Sequence, residues 1–164
     1  MKALLVTFIA LAIANIAVFA YKPTEAVHVP MENPYAVCDN TDYASQLQCN
    51  TNYYRADNGL KPLYNDDRLV EVSKQKSDDM CNRKYFAHDY QGESWTRFIE
   101  NAGVDYIKAG ENLARGFDSP QDAFTALVAS PTHKDNLLGD YTHIGVYTTS
   151  CEGKNYTTQT FAKL

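Results

Sequence analysis

"SPTHKDNLLGDYTHIGVYTTSC", Ser130 to Cys151, changes its period halfway along. The first half opens as a helix. Ser130 can cap it, Pro131 takes the first helical position where a missing N–H costs nothing, and His133 falls at the third. From His143 onward apolar and polar residues alternate, the pattern of a half-buried strand. "NYTTQTFAK", Asn155 to Lys163, alternates likewise, and Glu152-Gly153-Lys154 between the two runs predicts an antiparallel hairpin.

Upstream, helical signals dominate. "DSPQDAFTALVAS" starts with Ser119 as cap, Pro120 at the first position and Asp122 placed to return a bond to the cap. "ESWTRFIENAG" is a short helix stopped by Gly103, with Ser94 read as its cap. "DDRLVEVSKQKSDDMCNRKYFAH" predicts a helix from near Asp66 to His88, with Leu69, Val72, Lys76 (by its stem), Met80 and Cys81 on one face. "TDYASQLQCNTNYYRADNGL" predicts another, capped by Asn40 or Thr41 and stopped at Asn58-Gly59, after which "KPLYND" reads as a turn. "AGENLARG", Ala109 to Gly116, reads as a glycine-flanked turn around one carboxylate, Glu111. Helices first and strands last predict an α+β fold, with helices laid on a small antiparallel sheet.

The chain of 164 residues opens "MKALLVTFIALAIANIAVFAYKP". Lys2, the apolar run from Ala3 to Ala20 and Val18-Phe19-Ala20 describe a signal peptide over residues 1–20, with an uncleaved N-terminal anchor as the rival reading. Residues 21–40 hold Pro23, Pro30 and Pro34 without apolar period and read as a linker, in which His28 is idle; residues 41–164 form one domain. Export places that domain outside the cytoplasm. There Cys38, Cys49, Cys81 and Cys151 predict two disulfides. Three connectivities are open, and Cys38–Cys49 with Cys81–Cys151 is preferred: a local loop, and a tie from an early helix to a late strand. A net charge of −5 with no Lys/Arg cluster excludes nucleic acid as a partner. Asn155-Tyr156-Thr157 is a glycosylation sequon, which matters only in a eukaryotic secretory route.

"YYRADNGLKPL" (Tyr53 to Leu63), "YFAH" (Tyr85 to His88), "GEN" (Gly110 to Asn112), "SPTHKDNLL" (Ser130 to Leu138) and "HIGVY" (His143 to Tyr147) stand in an order that resembles the bacterial branch of the CAP superfamily. These are the SCP-like domains of cysteine-rich secretory proteins, antigen 5 and pathogenesis-related 1 proteins. The resemblance covers Asp42 to Phe161. It implies a three-layer α-β-α sandwich with a small antiparallel central sheet and a cleft where two histidines meet acidic residues. His88 matches the first histidine, Glu111 the GEN glutamate and His133 the second histidine. Many members carry a further glutamate on the helix before the second histidine; "AFTALVAS" has none.

Two imidazoles and a carboxylate are a donor set for a divalent cation such as zinc, so His88, Glu111 and His133 are the candidate metal residues. The competing reading is architectural: Glu111 bracing its loop, His133 bonding locally, His88 satisfied at an edge. His143 is a remote fourth candidate. The chain lacks H-E-x-x-H, G-x-S-x-G and a second acid for a glycosidase pair, and Ser94, Ser119 and Ser130 read as caps rather than nucleophiles. A monomeric, non-catalytic extracytoplasmic binding module for a small lipid or envelope glycan therefore ranks first. A metal-assisted hydrolase using the same cleft ranks second, and a ligand-free structural domain third.

Overall fold

The computed structural model describes residues 33–39 and 41–164. The apolar leader, His28, Asn40 and residues 21–32 of the expected linker lie outside the described residues. A 3-10 turn, Ala36–Asp39, is tied to helix α1 (Tyr43–Asp57) by the Cys38–Cys49 disulfide. The cap of α1 is Asp42 rather than Thr41, because its carboxylate takes both the Ser45 N–H at 3.0 Å and the Ser45 hydroxyl at 2.6 Å. Gly59 follows with φ +71°, the left-handed stop expected there.

Tyr64–Asn65 forms a short strand, β1, where a turn was expected. Asp66 then caps α2 (Asp67–Asn82). That helix stops six residues before the predicted His88. Lys84 has φ 57°, so the chain turns out of the helix, and Tyr85 to His88 belong to a loop. Helix α3 (Arg97–Asn101) begins after Thr96, not Ser94; the Ser94 hydroxyl instead accepts the Thr96 N–H at 3.3 Å.

The GEN stretch is strand β2 (Lys108–Arg115), not a turn. It pairs antiparallel along its length with β4 (Lys154–Lys163), Glu111 opposite Thr160. Gly110 is there for close approach: a Cβ would collide with the Tyr141 hydroxyl and lie 2.9 Å from Asn136 Oδ1. Helices α4 (Pro120–Ala129) and α5 (Pro131–Leu137) follow, each with proline in its first turn. Ser119 caps α4 as expected, and the Asp122 carboxylate accepts the Ser119 hydroxyl at 2.8 Å rather than its N–H. Ser130 occupies the cap position of α5 but makes no capping bond; it also ends α4, and its hydroxyl meets Thr132 Oγ1 at 3.4 Å. Strand β3 (His143–Cys151) and β4 form the expected hairpin, closed by two residues, Glu152 and Gly153, both at positive φ.

The sheet order is β1-β3-β4-β2. It is mixed, since β1 runs parallel to β3 through Tyr64–His143 and Asn65–Ile144. The fold is α+β, as the element order predicts, in the three layers the family resemblance implies; two-residue β1, running parallel, makes the expected antiparallel sheet mixed. On one face Leu47, Leu63, Leu137, Ile144 and Phe161 pack α1, α4 and α5 against the strands; on the other, Leu69, Val72, Ile99 and Ala162 pack α2 and α3. Helix α2 also meets the sheet through hydroxyls. Ser73 bonds Thr160 at 2.8 Å and the Gly145 carbonyl at 2.9 Å, and Ser77 bonds Thr158 at 2.9 Å. The second disulfide, Cys81–Cys151, ties the end of α2 to the hairpin, so both preferred pairings are present and no described cysteine is free.

Candidate functional site

Strand alternation divides the GEN residues between the two faces of the sheet. Asn112 faces α5. Its Nδ2 donates to the His133 carbonyl at 3.1 Å, and Asn136 of α5 donates back to the Glu111 carbonyl and to Asn112 Oδ1 at 3.0 and 2.9 Å. These bonds dock the helix that carries His133 onto the strand that carries Glu111. Glu111 itself points to the opposite face, 5% exposed, on the same side as Leu113, which packs with Met80 and Tyr85.

There it meets His88. Nδ1 of His88 lies 2.7 Å from Glu111 Oε1, the imidazole side chain 49% exposed and the carboxylate 2%. A carboxylate behind Nδ1 orients the ring and leaves Nε2 as the nitrogen that faces outward. Burial pushes the Glu111 carboxyl above its usual range, opposed by the His88 hydrogen bond and the nearby Lys76 ammonium.

Lys76 was expected to bury only its stem, yet the whole residue is 1% exposed. Its ammonium donates to the Tyr85 hydroxyl at 3.1 Å, to the Ala87 carbonyl at 2.8 Å and to the His88 carbonyl. It also lies 4.9 Å from the Tyr85 ring centroid. The Tyr85 hydroxyl in turn donates to Asp79 Oδ2 at 2.6 Å. Burial holds the Lys76 ammonium below its ordinary pKa, with Glu111 the largest opposing influence. One cation therefore ties down the loop that presents His88 and faces the carboxylate that orients it. The sequence held a signal for this, a lysine among Leu69, Val72 and Met80 on the apolar face of an amphipathic helix.

His133 stands at the third position of α5, its ring beside a groove of about 220 Å³ lined by Phe86, Leu113, Phe117, Leu127 and Ser130. Burial, with a smaller contribution from His88, holds its imidazole below the ordinary value, so it is the neutral form that fits. Among the described residues no group of three or more His, Cys, Asp or Glu side chains is spaced to hold a metal ion together. Glu111 Oε1 is engaged on His88. The carboxylate thus stands behind one of the two imidazoles. His143 starts β3, beyond β4 from Glu111, where Thr142 Oγ1 meets its Nδ1 at 2.8 Å. Phe86, Lys76, Asn112 and Asn136 complete the site without having been singled out for it in the sequence.

The profile of the cysteine-rich secretory protein family, CAP, matches residues 50–161. The chain is 37% identical over 100 residues to the uncharacterized protein YkwD of Bacillus subtilis strain 168, covering 58% of this chain and 38% of that one. It is 32% identical over 151 residues to the uncharacterized membrane protein YlbC of the same organism, covering 87% of this chain and 42% of that one. The chain thus spans about two fifths of the length of these relatives. Its fold is also that of an extracellular protein containing a SCP domain from Bacillus anthracis, with a TM-score of 0.68 and 28% identity over 74% of this chain and 40% of that one. The motif order, the three layers and the match across most of the chain agree: this protein belongs to the CAP family of cysteine-rich secretory proteins.

Proposed function

We propose that the chain is an extracytoplasmic binding domain, non-catalytic, that holds a small lipid or glycan of the cell envelope at the cleft of His88, Glu111 and His133. The observation that carries this reading is the 2.7 Å bond between His88 and buried Glu111, which presents an oriented imidazole close to the apolar groove beside His133. An apolar body fits the groove of Phe86, Leu113, Phe117 and Leu127, and a polar head fits the two imidazoles and the Arg115 guanidinium, which stacks 5.0 Å from the Phe86 ring. Export is supported by the apolar leader in the sequence, by the two disulfides and by the extracellular relative.

A divalent cation such as zinc belongs to the same reading. His88 through Nε2 and the His133 imidazole would hold it, with Glu111 orienting His88 from behind. Bound there, it would supply Lewis acidity and charge for an anionic head group. The oriented imidazole favours one alternative, a hydrolase in which Nε2 of His88 acts as general base.

Titration of the isotope-labelled protein with dodecanoate and with N-acetylglucosamine tests the binding reading. Saturable amide shifts confined to Phe86, His88, Leu113 and His133 with either probe are expected. Shifts spread over the surface, or none at millimolar probe, would reject it. Turnover of a p-nitrophenyl ester that disappears in His88→Ala would transfer the site to the hydrolase. Added zinc is expected to raise the melting temperature of the wild type and not of His88→Ala.

A further inference from the structure

The sheet has a second edge, on the far side from the histidine cleft. Strand β4 covers one side of β3 along its whole length, whereas β1 covers the other side only at His143 and Ile144. The Asp66 N–H donates to the Ile144 carbonyl at 3.1 Å, which fixes the parity: Ile144, Val146, Thr148 and Ser150 turn their peptide groups away from β4. Past Asn65 the chain leaves for α2. The outward N–H and C=O groups of Val146, Thr148 and Ser150 have no hydrogen-bond partner among the described residues.

This edge is sunk in a groove of about 650 Å³, walled by the first two turns of α1 (Tyr43, Ser45, Gln48) and the first turn of α2 (Asp67, Val70). Gln48 lines it, is 2% exposed, and has a buried side-chain Nε2 with no partner among the described residues. A buried amide donor left unpaired costs about 1–3 kcal/mol. Among the described residues, the charged side chains that line the groove are Asp42 and Asp67, both acidic.

We propose that this groove docks an extended peptide of another protein, carrying basic side chains, which adds as a strand beside β3. The backbone edge selects an extended polypeptide, because only that presents alternating N–H and C=O groups at the strand repeat. Asp42 and Asp67 select positive charge and disfavour a second copy of this chain, which would bring the same two acids and its own α1 and α2 to the same rim. Three outward residues spaced two apart call for a segment of about five residues. The proposal is independent of the histidine cleft.

The test uses the full chain, isotope-labelled, at low ionic strength, with acetyl-Lys-Thr-Val-Thr-Lys-amide as probe. Binding is expected to shift and protect from exchange the amides of Val146, Thr148 and Ser150, and to shift the Gln48 side-chain amide. It should weaken as salt is raised. N-methylation of one alternate set of peptide nitrogens should weaken binding at least tenfold, and methylation of the other set should leave it unchanged. No shift at millimolar peptide, or equal effects of the two methylation patterns, overturns the proposal. Protection of the same amides before any peptide is added also overturns it. Protection that persists on dilution would assign the edge to the chain itself, and protection lost on dilution to a second copy.

Discussion

Replacing Lys76 by methionine keeps the length and apolar stem of the side chain and removes the ammonium. Three hydrogen bonds go with it, to the Tyr85 hydroxyl and to the Ala87 and His88 carbonyls. At roughly 1.5–3 kcal/mol for each bond to a charged donor, the gross loss is about 4.5–9 kcal/mol. Relief of the buried charge returns several kcal/mol, leaving a net loss of about 2–4 kcal/mol. The more informative quantity is the coupling to Glu111. That carboxylate is buried and leans on both His88 and Lys76, so Lys76→Met strands it, while Glu111→Gln removes the charge to be stranded. The double variant should therefore be more stable than the sum of the singles implies, by about 0.5–3 kcal/mol. Urea unfolding of the four proteins, compared by midpoint at constant slope, measures this. Additivity within about 0.5 kcal/mol, or a Lys76→Met protein as stable as wild type, would refute the role assigned to the ammonium.

Two further outcomes follow from individual groups. Because burial raises the Glu111 carboxyl above 4.5, the folded state binds its proton more readily than the unfolded state. Wild type should gain stability relative to Glu111→Gln as pH falls from neutrality and level off below about 4.5; urea midpoints across that range in chelator check it, and the opposite slope would contradict the assignment. Ser119→Ala should cost about 0.5–2 kcal/mol, since its hydroxyl takes the Asp122 N–H at 3.1 Å. Ser130→Ala, with no capping bond to lose, should stay within about 0.5 kcal/mol; thermal melts of the two variants separate them.

What was legible in the sequence is what rests on local chemistry. The Ser119-Pro120 start, the positive-φ glycines after α1 and α3, and the β3–β4 hairpin all declare themselves within a few residues. Strand β2 did not, because it is buried on both sides at its centre and so shows no alternation, while its glycine mimics a turn. Two-residue β1 exists only because β3 lies beside it. The end of α2 was overrun because Tyr85 continues the apolar pattern after the backbone has already turned at Lys84. For the cleft, His88 and Glu111 are far apart in sequence and were joined only through the family motifs. The helix pattern contained Lys76, but nothing local tells a buried ammonium from a buried stem.

The hydroxyl contacts of α2 carry a consequence for how the layers find their alignment. Ser73 and Ser77 are four residues apart on the helix, a rise of about 6 Å. Their partners Thr160 and Thr158 are two apart on the strand, a spacing of about 6.7 Å. The two pitches are nearly commensurate, and they run in opposite senses, since the later helix residue meets the earlier strand residue. Helix and strand mesh like a rack and its pinion, antiparallel and close to aligned. Apolar surface alone would let α2 swivel or slide at little penalty, because contact area changes smoothly with position. The paired teeth make the correct seating a discrete state, and Gly145, whose Cβ would strike the backbone of Leu69 and Val70, lets the helix drop close enough for them to engage.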